Sequence, residues 1–339
     1  MKAAILDRIG DPLRIGEVDT PSVGPNDVLV ATKSCGICRT DIHIQDGLAY
    51  IPSLPHVPGH EPAGTVAAVG SNVKHLRVGD RVVPHLFLTC GECAFCQQGD
   101  DAQCVSIDGI IGVTCGGGFA EYFTAPAKNL LSLPQNVPFD VGGLVSCAVI
   151  TAVHAYARSR VTANETAVIL GAGGIGQILI QLLRHHGVKV IAWSRSAKSL
   201  EIATQLGADL TIPLGDETSL NQIKEFTNQA GVDCVFECVG VSETMSLAGN
   251  ALRPRGRIVV IGEEADPIPL NTIEVAQREL EIIGSRNGSK QDAAKALRFM
   301  SEGVIDPPIF ARFPLAEINQ ALDLVRGGKA HGRVVIEFD

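Results

Sequence analysis

The chain has 339 residues, of which 45% are hydrophobic and 19% charged, enough apolar material for about two packed domains and too much for a disordered protein. Lys and Arg number 28 against 37 Asp and Glu, a formal charge of -9, and only 4% of residues are aromatic. An acidic chain with no basic run and few rings for base stacking argues against nucleic acid and against an anionic membrane surface as partners.

The N-terminus returns to charge at Asp7 and Arg8, leaving no room for an apolar signal core. Residues 1–150 carry short β-branched runs at 27–31, 64–69, 80–83 and 120–124, cut by Pro21, Pro25, Pro52, Pro55, Pro58 and Pro84. That pattern predicts short strands in an irregular, mostly β domain. A helical pattern appears at 141–158. From Glu165 apolar runs at 167–170, 188–193, 210–212, 234–238, 257–261 and 280–283 alternate with helix-like stretches at 175–186, 200–206 and 220–229. Alternating β and α units predict a doubly wound parallel sheet. Helices at 293–301 and 316–325 and a strand at 333–338 close the chain. The uncharged window 166–183 is long enough to span a bilayer. Its four glycines, with Gln177 and Gln181, read instead as strand, turn and helix. The expectation is a soluble, cytoplasmic α/β protein.

Six of the ten cysteines fall in tight patterns. Cys90, Cys93, Cys96 and Cys104 read C-x2-C-x2-C-x7-C, the spacing of four thiolates closing a tetrahedral zinc shell. A closed shell has no position for substrate, so this metal is expected to be structural. Disulfides suit a cytoplasmic chain poorly. Glu92, Asp100 and Asp101, with no Lys or Arg in the loop, argue against a nucleic-acid ribbon. A second, dispersed set comprises Cys35, Cys38, His43, His60 and Cys147. Catalytic zinc takes three protein ligands and keeps one position open, but spacing alone does not choose among these five.

Gly171-Ala172-Gly173-Gly174-Ile175-Gly176 fits G-x-G-x-x-G between a buried-strand run and a helix. Gly171 permits the tight turn, Gly173 lets a pyrophosphate approach the backbone, and Gly176 lets helix and strand pack closely. The phosphates would lie on the helix N-terminus. At the end of the next strand a carboxylate would favour NAD(H). The chain has Ser194-Arg195-Ser196-Ala197-Lys198 instead, two hydroxyls and two cations suited to a 2′-phosphate. NADP(H) is therefore favoured over NAD(H).

Taken together, residues 36–41, Pro58-Gly59-His60-Glu61, Val78-Gly79-Asp80-Arg81-Val82, the four-cysteine lobe, the glycine motif and Gly332-Arg333-Val334 resemble the zinc-dependent alcohol dehydrogenases of the medium-chain dehydrogenase/reductase superfamily. The resemblance implies a split GroES-like catalytic domain, 1–150 and 288–339, around a Rossmann domain, 151–287, with a cleft between them for cofactor and metal. It implies two zinc ions per subunit. The catalytic one would be held by Cys38, His60 and Cys147, not Cys35, with Asp41 orienting His60 and Glu61 close behind, in reach of transient coordination. The Thr40 hydroxyl and the cofactor ribose would relay the alcohol proton to His43, the exchange point with solvent; Thr40 would serve equally as a helix N-cap. Arg39 and Arg333 would contact the pyrophosphate and Thr151 the nicotinamide; a structural salt bridge is the other reading of Arg39. Leu86, with Leu48, Ile51 and Ile110, would line an apolar pocket favouring medium or bulky alcohols, aldehydes or ketones over charged polyols, or else belong to the core. Relatives of this length are commonly homotetramers, otherwise dimers. The alternative is an NAD(H)-dependent polyol or amino-alcohol dehydrogenase of the same fold.

Overall fold

The computed structural model describes residues 1–339. They form two compact units, one of Met1–Ile150, Gly288–Gly303 and Pro308–Asp339, the other of Thr151–Asn287 and Val304–Pro307.

In the first unit the chain makes a hairpin, β1 (Lys2–Ile5) with β2 (Arg14–Glu17), then the long strand β3 (Asp27–Ile37) and helix α1 (Arg39–Asp46). There follow β4 (Glu61–Val69), β5 (Arg81–Pro84), β6 (Phe87–Thr89), the short α2 (Ala94–Gln97), β7 (Ile107–Ile110), β8 (Tyr122–Pro126), β9 (Leu130–Ser132), α3 (Phe139–Gly142) and α4 (Ala148–Ser159). The boundary between the units falls within α4. β3 alternates buried and half-buried residues from Asp27 and then turns fully buried at Cys35–Ile37, where it is covered on both sides. There Gly36 pairs with Glu61 of β4 and Ile37 with Val334 near the C-terminus. The core gathers Val28, Val30, Ile37, Ile42, Phe119 and Phe123.

The 141–158 pattern is not one helix. α3 ends at Gly142, a 3-10 turn covers Gly143–Ser146, and α4 begins only at Ala148. Cys147 itself has φ -132° and ψ -71°, outside the helical region. Apolar residues around the whole stretch hide such a break from periodicity, because no polar face marks the change of axis.

The second unit holds β10 (Thr166–Leu170), α5 (Gly174–His185), β11 (Lys189–Ser194), α6 (Ala197–Gln205), β12 (Leu210–Pro213), α7 (Ser219–Phe226), β13 (Val232–Glu237), α8 (Ser242–Ala251), β14 (Leu252–Val260), α9 (Thr272–Gln277) and β15 (Glu281–Gly284). All its pairings are parallel, in the order β12-β11-β10-β13-β14-β15. The chain winds outward from β10 in one direction and then from β13 in the other. The carboxyl ends of β10 and β13 therefore form the switch point where doubly wound sheets bind ligands. The α/β class and the doubly wound sheet are as the sequence predicts. α9 was invisible there because none of its residues is buried. The chain then returns to the first unit through α10 (Lys290–Ser301), β16 (Ile309–Pro314), α11 (Ile318–Arg326) and β17 (Arg333–Glu337), whose two strands extend the large sheet beside β3. No single helix is long and apolar enough to cross a membrane.

At the start of α5, Gly171 has φ +99°, a conformation that only glycine adopts cheaply. A Cβ on Gly176 would fall on the Gly171 carbonyl oxygen and lie 2.9 Å from Ile169 Cγ2. Gly176→Ala is expected to destabilise the fold by about 1–3 kcal/mol through overpacking, read as a lower urea midpoint. An unchanged midpoint would show that the helix can back away from the turn at no cost.

Candidate active site

Three segments distant in sequence converge in the first unit. Cys38 is the N-cap of α1, where β3 stops and the helix begins. His60 immediately precedes β4, and Cys147 sits in the break before α4. Their ligand atoms, with a Glu61 oxygen, all lie within 4.8 Å of one another. The Cys38 and Cys147 sulfurs are 4.0 Å apart. The His60 Nδ1 faces Asp41 Oδ1 at 3.0 Å, while Nε2 is buried without a hydrogen-bond partner. Two sulfurs and one orphaned imidazole nitrogen fit a zinc ion. Cys35 lies on β3, fully buried, with its thiol 3.7 Å from the Gly36 carbonyl oxygen.

The electrostatics favour a thiolate here. The Cys38 thiol is held well below its ordinary range, first by its hydrogen bond with Cys147, then by the His60 imidazole and the Arg333 guanidinium, all against the effect of burial. Burial pushes the Glu61 carboxyl up to about 7, although Arg333 pulls the other way. Arg333 is ion-paired with Glu61 and donates to the Ile37 carbonyl at 3.1 Å. A Cβ at Gly36 would fall on the Glu61 carboxylate, so the strand makes room for that side chain.

Thr40 is the second residue of α1 and not its N-cap; Cys38 takes that place, in a capping box with Asp41. The Thr40 hydroxyl lies 3.8 Å from the Cys38 sulfur. His43, expected at the exchange point with solvent, is buried at 7% exposure. The physical reason is that five consecutive residues of α1, Asp41 to Gln45, are buried, so the helix is covered on more than one side and His43 is enclosed with it. Arg39 is exposed, 3.5 Å from the Arg326 carbonyl. Of the residues expected to line a pocket, Leu86 and Ile110 belong to the hydrophobic core. Leu48 and Ile51 stand 70% and 67% exposed in the loop after α1.

Cys90, Cys93, Cys96 and Cys104 form a second cluster, again with all sulfurs within 4.8 Å. All four are free thiols. Backbone N–H groups point at the sulfurs, Cys93 N at Cys90 and Ser106 N at Cys104, each 3.4 Å away. Such donors stabilise thiolates; the backbone amides of Cys96 and then Val105 bring the Cys93 thiol down to about 6. Four thiolate donors fit a closed zinc shell.

In the second unit Gly173 is the N-cap of α5, and no side chain caps that helix. Gly174, Ile175 and Gly176 therefore present first-turn amides at the switch point, the arrangement that binds phosphate. Ser194 ends β11, half-buried, and Arg195 is exposed. Ser196 spends its hydroxyl as the N-cap of α6, accepting from Ser199 N. Lys198 is paired with Glu201 at 2.7 Å. Of the expected two hydroxyls and two cations, Ser196 thus caps α6 and Lys198 shares an exposed ion pair, while Ser194 and Arg195 stand at the end of β11. Thr151 is buried in α4, four residues beyond Cys147.

Comparison with known proteins agrees with this geometry. Residues 24–135 match the alcohol dehydrogenase GroES-like domain and residues 174–302 the zinc-binding dehydrogenase family. An alcohol dehydrogenase of Geobacillus stearothermophilus is 33% identical over 341 residues, covering 100% of both chains. The chain belongs to the zinc-type medium-chain dehydrogenase/reductase family. Other members that it resembles include an NAD-dependent alcohol dehydrogenase of Sulfolobus acidocaldarius, 31% identical over 99% of both chains. A cobalt- and zinc-bound alcohol dehydrogenase from Pyrobaculum aerophilum superposes with a TM-score of 0.91 at 29% identity, covering 100% of this chain and 99% of that one. Alcohol dehydrogenase activity is what these relatives support for this dehydrogenase.

One residue of the nucleotide unit was missed by sequence reasoning. Glu237, the last residue of β13, is fully buried beside the glycine turn. Its only signal was a charge closing an apolar strand run just before a glycine, Glu237-Cys238-Val239-Gly240. For the four-thiol lobe, Cys96→Ser is expected to release one equivalent of zinc and lower the melting temperature while turnover by the remaining folded enzyme persists. An equally stable but inactive variant would move that metal into the chemistry.

Proposed function

We propose that this dehydrogenase interconverts a small-molecule alcohol with its aldehyde or ketone, with NADP(H) favoured as hydride carrier and two zinc ions per subunit. What supports the reading most is the meeting of Cys38, His60 and Cys147 at one buried point, with the unpartnered His60 nitrogen turned into it. When bound there, zinc would act as a Lewis acid on the substrate oxygen, while the nicotinamide would exchange hydride with the substrate carbon.

The chain's own residues account for the rest. Cys38, His60 and Cys147 would hold the ion, three donors for a metal that takes four. Asp41 fixes the His60 ring, a type of contact whose loss typically changes metal affinity or activity by about 10–100-fold. Glu61 stands behind the ligands, restrained by Arg333. The Thr40 hydroxyl accepts the alcohol proton while giving up its own toward His43, three residues on along the same helix face. The small exposure of His43 makes it a narrow outlet to water. Arg39 and Arg333 remain our proposed pyrophosphate contacts and Thr151 our proposed nicotinamide contact. Arg333 is engaged by Glu61 and the Ile37 carbonyl, and Arg39 stands exposed at the start of α1.

NADP(H) is supported by the lack of a carboxylate at the end of β11 and by exposed Arg195. One observation favours the NAD(H) reading: Lys198 is already neutralised by Glu201. A relative of 32% identity, covering 94% of this chain, is a D-arabitol-phosphate dehydrogenase of Enterococcus avium, so a polyol-type substrate is the second reading. The ten free thiols suit a reducing compartment, and we place the enzyme in the cytoplasm on that ground. We also propose a homo-oligomer, a tetramer before a dimer, as is common for relatives of this length.

Initial rates with NADPH and NADH over a panel of aldehydes and ketones test the reading. NADPH is expected to dominate, and Arg195→Asp to shift the preference toward NADH; an unchanged ratio would make Arg195 a bystander. His43→Ala is expected to slow alcohol oxidation most at the low end of the pH range, where the alcohol proton leaves least readily on its own. A loss of equal size at every pH would remove His43 from the proton path.

A further inference from the structure

At the switch point of the second unit, Glu237 is 0% exposed. A buried carboxylate is expensive unless its oxygens are fully satisfied. Here Oε1 accepts from Val239 N at 3.0 Å, Gly240 N at 3.1 Å and the Thr244 hydroxyl at 2.8 Å, and Oε2 accepts from Gly240 N at 2.9 Å. The main chain of the same residue ties in the next strand, its carbonyl accepting from Ile261 N at 2.8 Å and Gly262 N at 3.0 Å. One side chain and its own backbone thus hold together the loops that follow β13 and β14.

These loops border the glycine turn. Glu237 stands opposite Leu170, the residue before Gly171, and Cys238 N donates to the Leu170 carbonyl at 2.9 Å. A Cβ on Gly171 would come within 2.9 Å of Val239 Cγ2 and 3.4 Å of Cys238 Cβ, so loop and turn are in contact. Successive backbone N–H groups such as those of Val239 and Gly240 form a concavity that binds anions. In this chain that concavity is filled from within by Glu237. The loop therefore keeps its shape without a ligand's phosphates, which are left to the uncapped first turn of α5.

Resting on the dinucleotide reading above, we propose that Glu237 is a positioning residue for the cofactor. By holding the Val239–Gly240 backbone, it shapes the wall on which the half of the dinucleotide beyond the adenosine is seated. In a doubly wound sheet the two halves of a dinucleotide lie on opposite sides of the switch point. The adenosine half falls over β10 and β11, and the other half over the ends of β13 and β14, the ends that Glu237 binds together. Thr244, 1% exposed on α8, acts with it through its hydroxyl.

The test is calorimetric titration of the full-length, zinc-loaded protein with NADPH, NADH and 5′-AMP, the last probing the adenosine half alone. Glu237→Gln removes the charge, keeps one acceptor oxygen and puts an NH2 group where the second carboxylate oxygen accepts from a backbone N–H. It is expected to weaken both dinucleotides about tenfold while 5′-AMP binds within about twofold of the wild type. Thr244→Val removes one donor and leaves the charge in place, and is expected to weaken dinucleotide binding about threefold with the same indifference to 5′-AMP. Equal dinucleotide affinity in wild type and Glu237→Gln would overturn the proposal. So would a parallel loss of 5′-AMP, which would make Glu237 a general support of the unit. If Glu237→Gln does not fold, Thr244→Val decides by the same selectivity. Failure of the wild type to bind any dinucleotide would instead remove the reading of the site on which the proposal stands.

Discussion

The candidate metal centre hangs on one buried carboxylate. Asp41, 3% exposed, accepts from Cys38 N at 2.8 Å through Oδ2 and faces His60 Nδ1 at 3.0 Å through Oδ1. The first contact is half of a capping box and so starts α1; the second sets the ring plane of a metal ligand. Neither could be left unmade, because a buried carboxylate without donors costs several kcal/mol. Helix initiation and imidazole orientation are thereby made the same event. Cys38, Thr40 and His43 are carried on α1, so their placement relative to His60 follows from this one side chain.

All three ligand positions are places where regular structure ends. Cys38 stands between β3 and α1, His60 before β4, and Cys147 between a 3-10 turn and α4. A residue inside a helix or strand has its direction set by the repeat, whereas a terminal residue can take the dihedral angles that its ligand geometry requires. The surroundings then keep that freedom from becoming disorder. Leu144 and Val145 are fully buried just before Cys147, and the Ser146 hydroxyl donates to the Pro84 carbonyl at 2.7 Å. Below the centre, Arg333 compensates Glu61, bringing β17 and β4 into the same arrangement. For Arg333 burial works against the charge, but Glu61 and the thiols of Cys38 and Cys147 outweigh it and raise its proton affinity.

What could be read from the sequence was whatever repeats or spaces itself regularly. The parallel strands are apolar on both faces and stand out as runs, and the glycine turn is constrained at each glycine by backbone sterics. The four clustered cysteines need only a short loop to meet. The dispersed centre could not be selected from spacing, because the convergence of Cys38, His60 and Cys147 depends on the pairing of β3 with β4 and on the break at Cys147. β3 continues through Ser34, Cys35 and Gly36, poor strand formers that are held there by β4 and β17. Glu237 drew no attention inside its apolar run, because nothing local reveals that the following backbone amides curl around it.

The nucleotide unit treats its two helix N-termini differently, and that difference bears on cofactor choice. α5 begins at a glycine with no side-chain cap, so its amides are open to an anion; α6 begins at Ser196, whose hydroxyl already accepts from Ser199 N. A pyrophosphate can therefore draw on backbone donors and a helix dipole together. A 2′-phosphate beside Ser194 has no such end-on help and must rely on side chains. Lys198 contributes little while Glu201 holds it, leaving Arg195, which is exposed. An exposed ion pair is worth about 0–1 kcal/mol and a hydrogen bond to a charged group about 1.5–3 kcal/mol. On the cofactor reading proposed above, discrimination between the two dinucleotides would rest chiefly on one guanidinium, an effect of about one or two powers of ten.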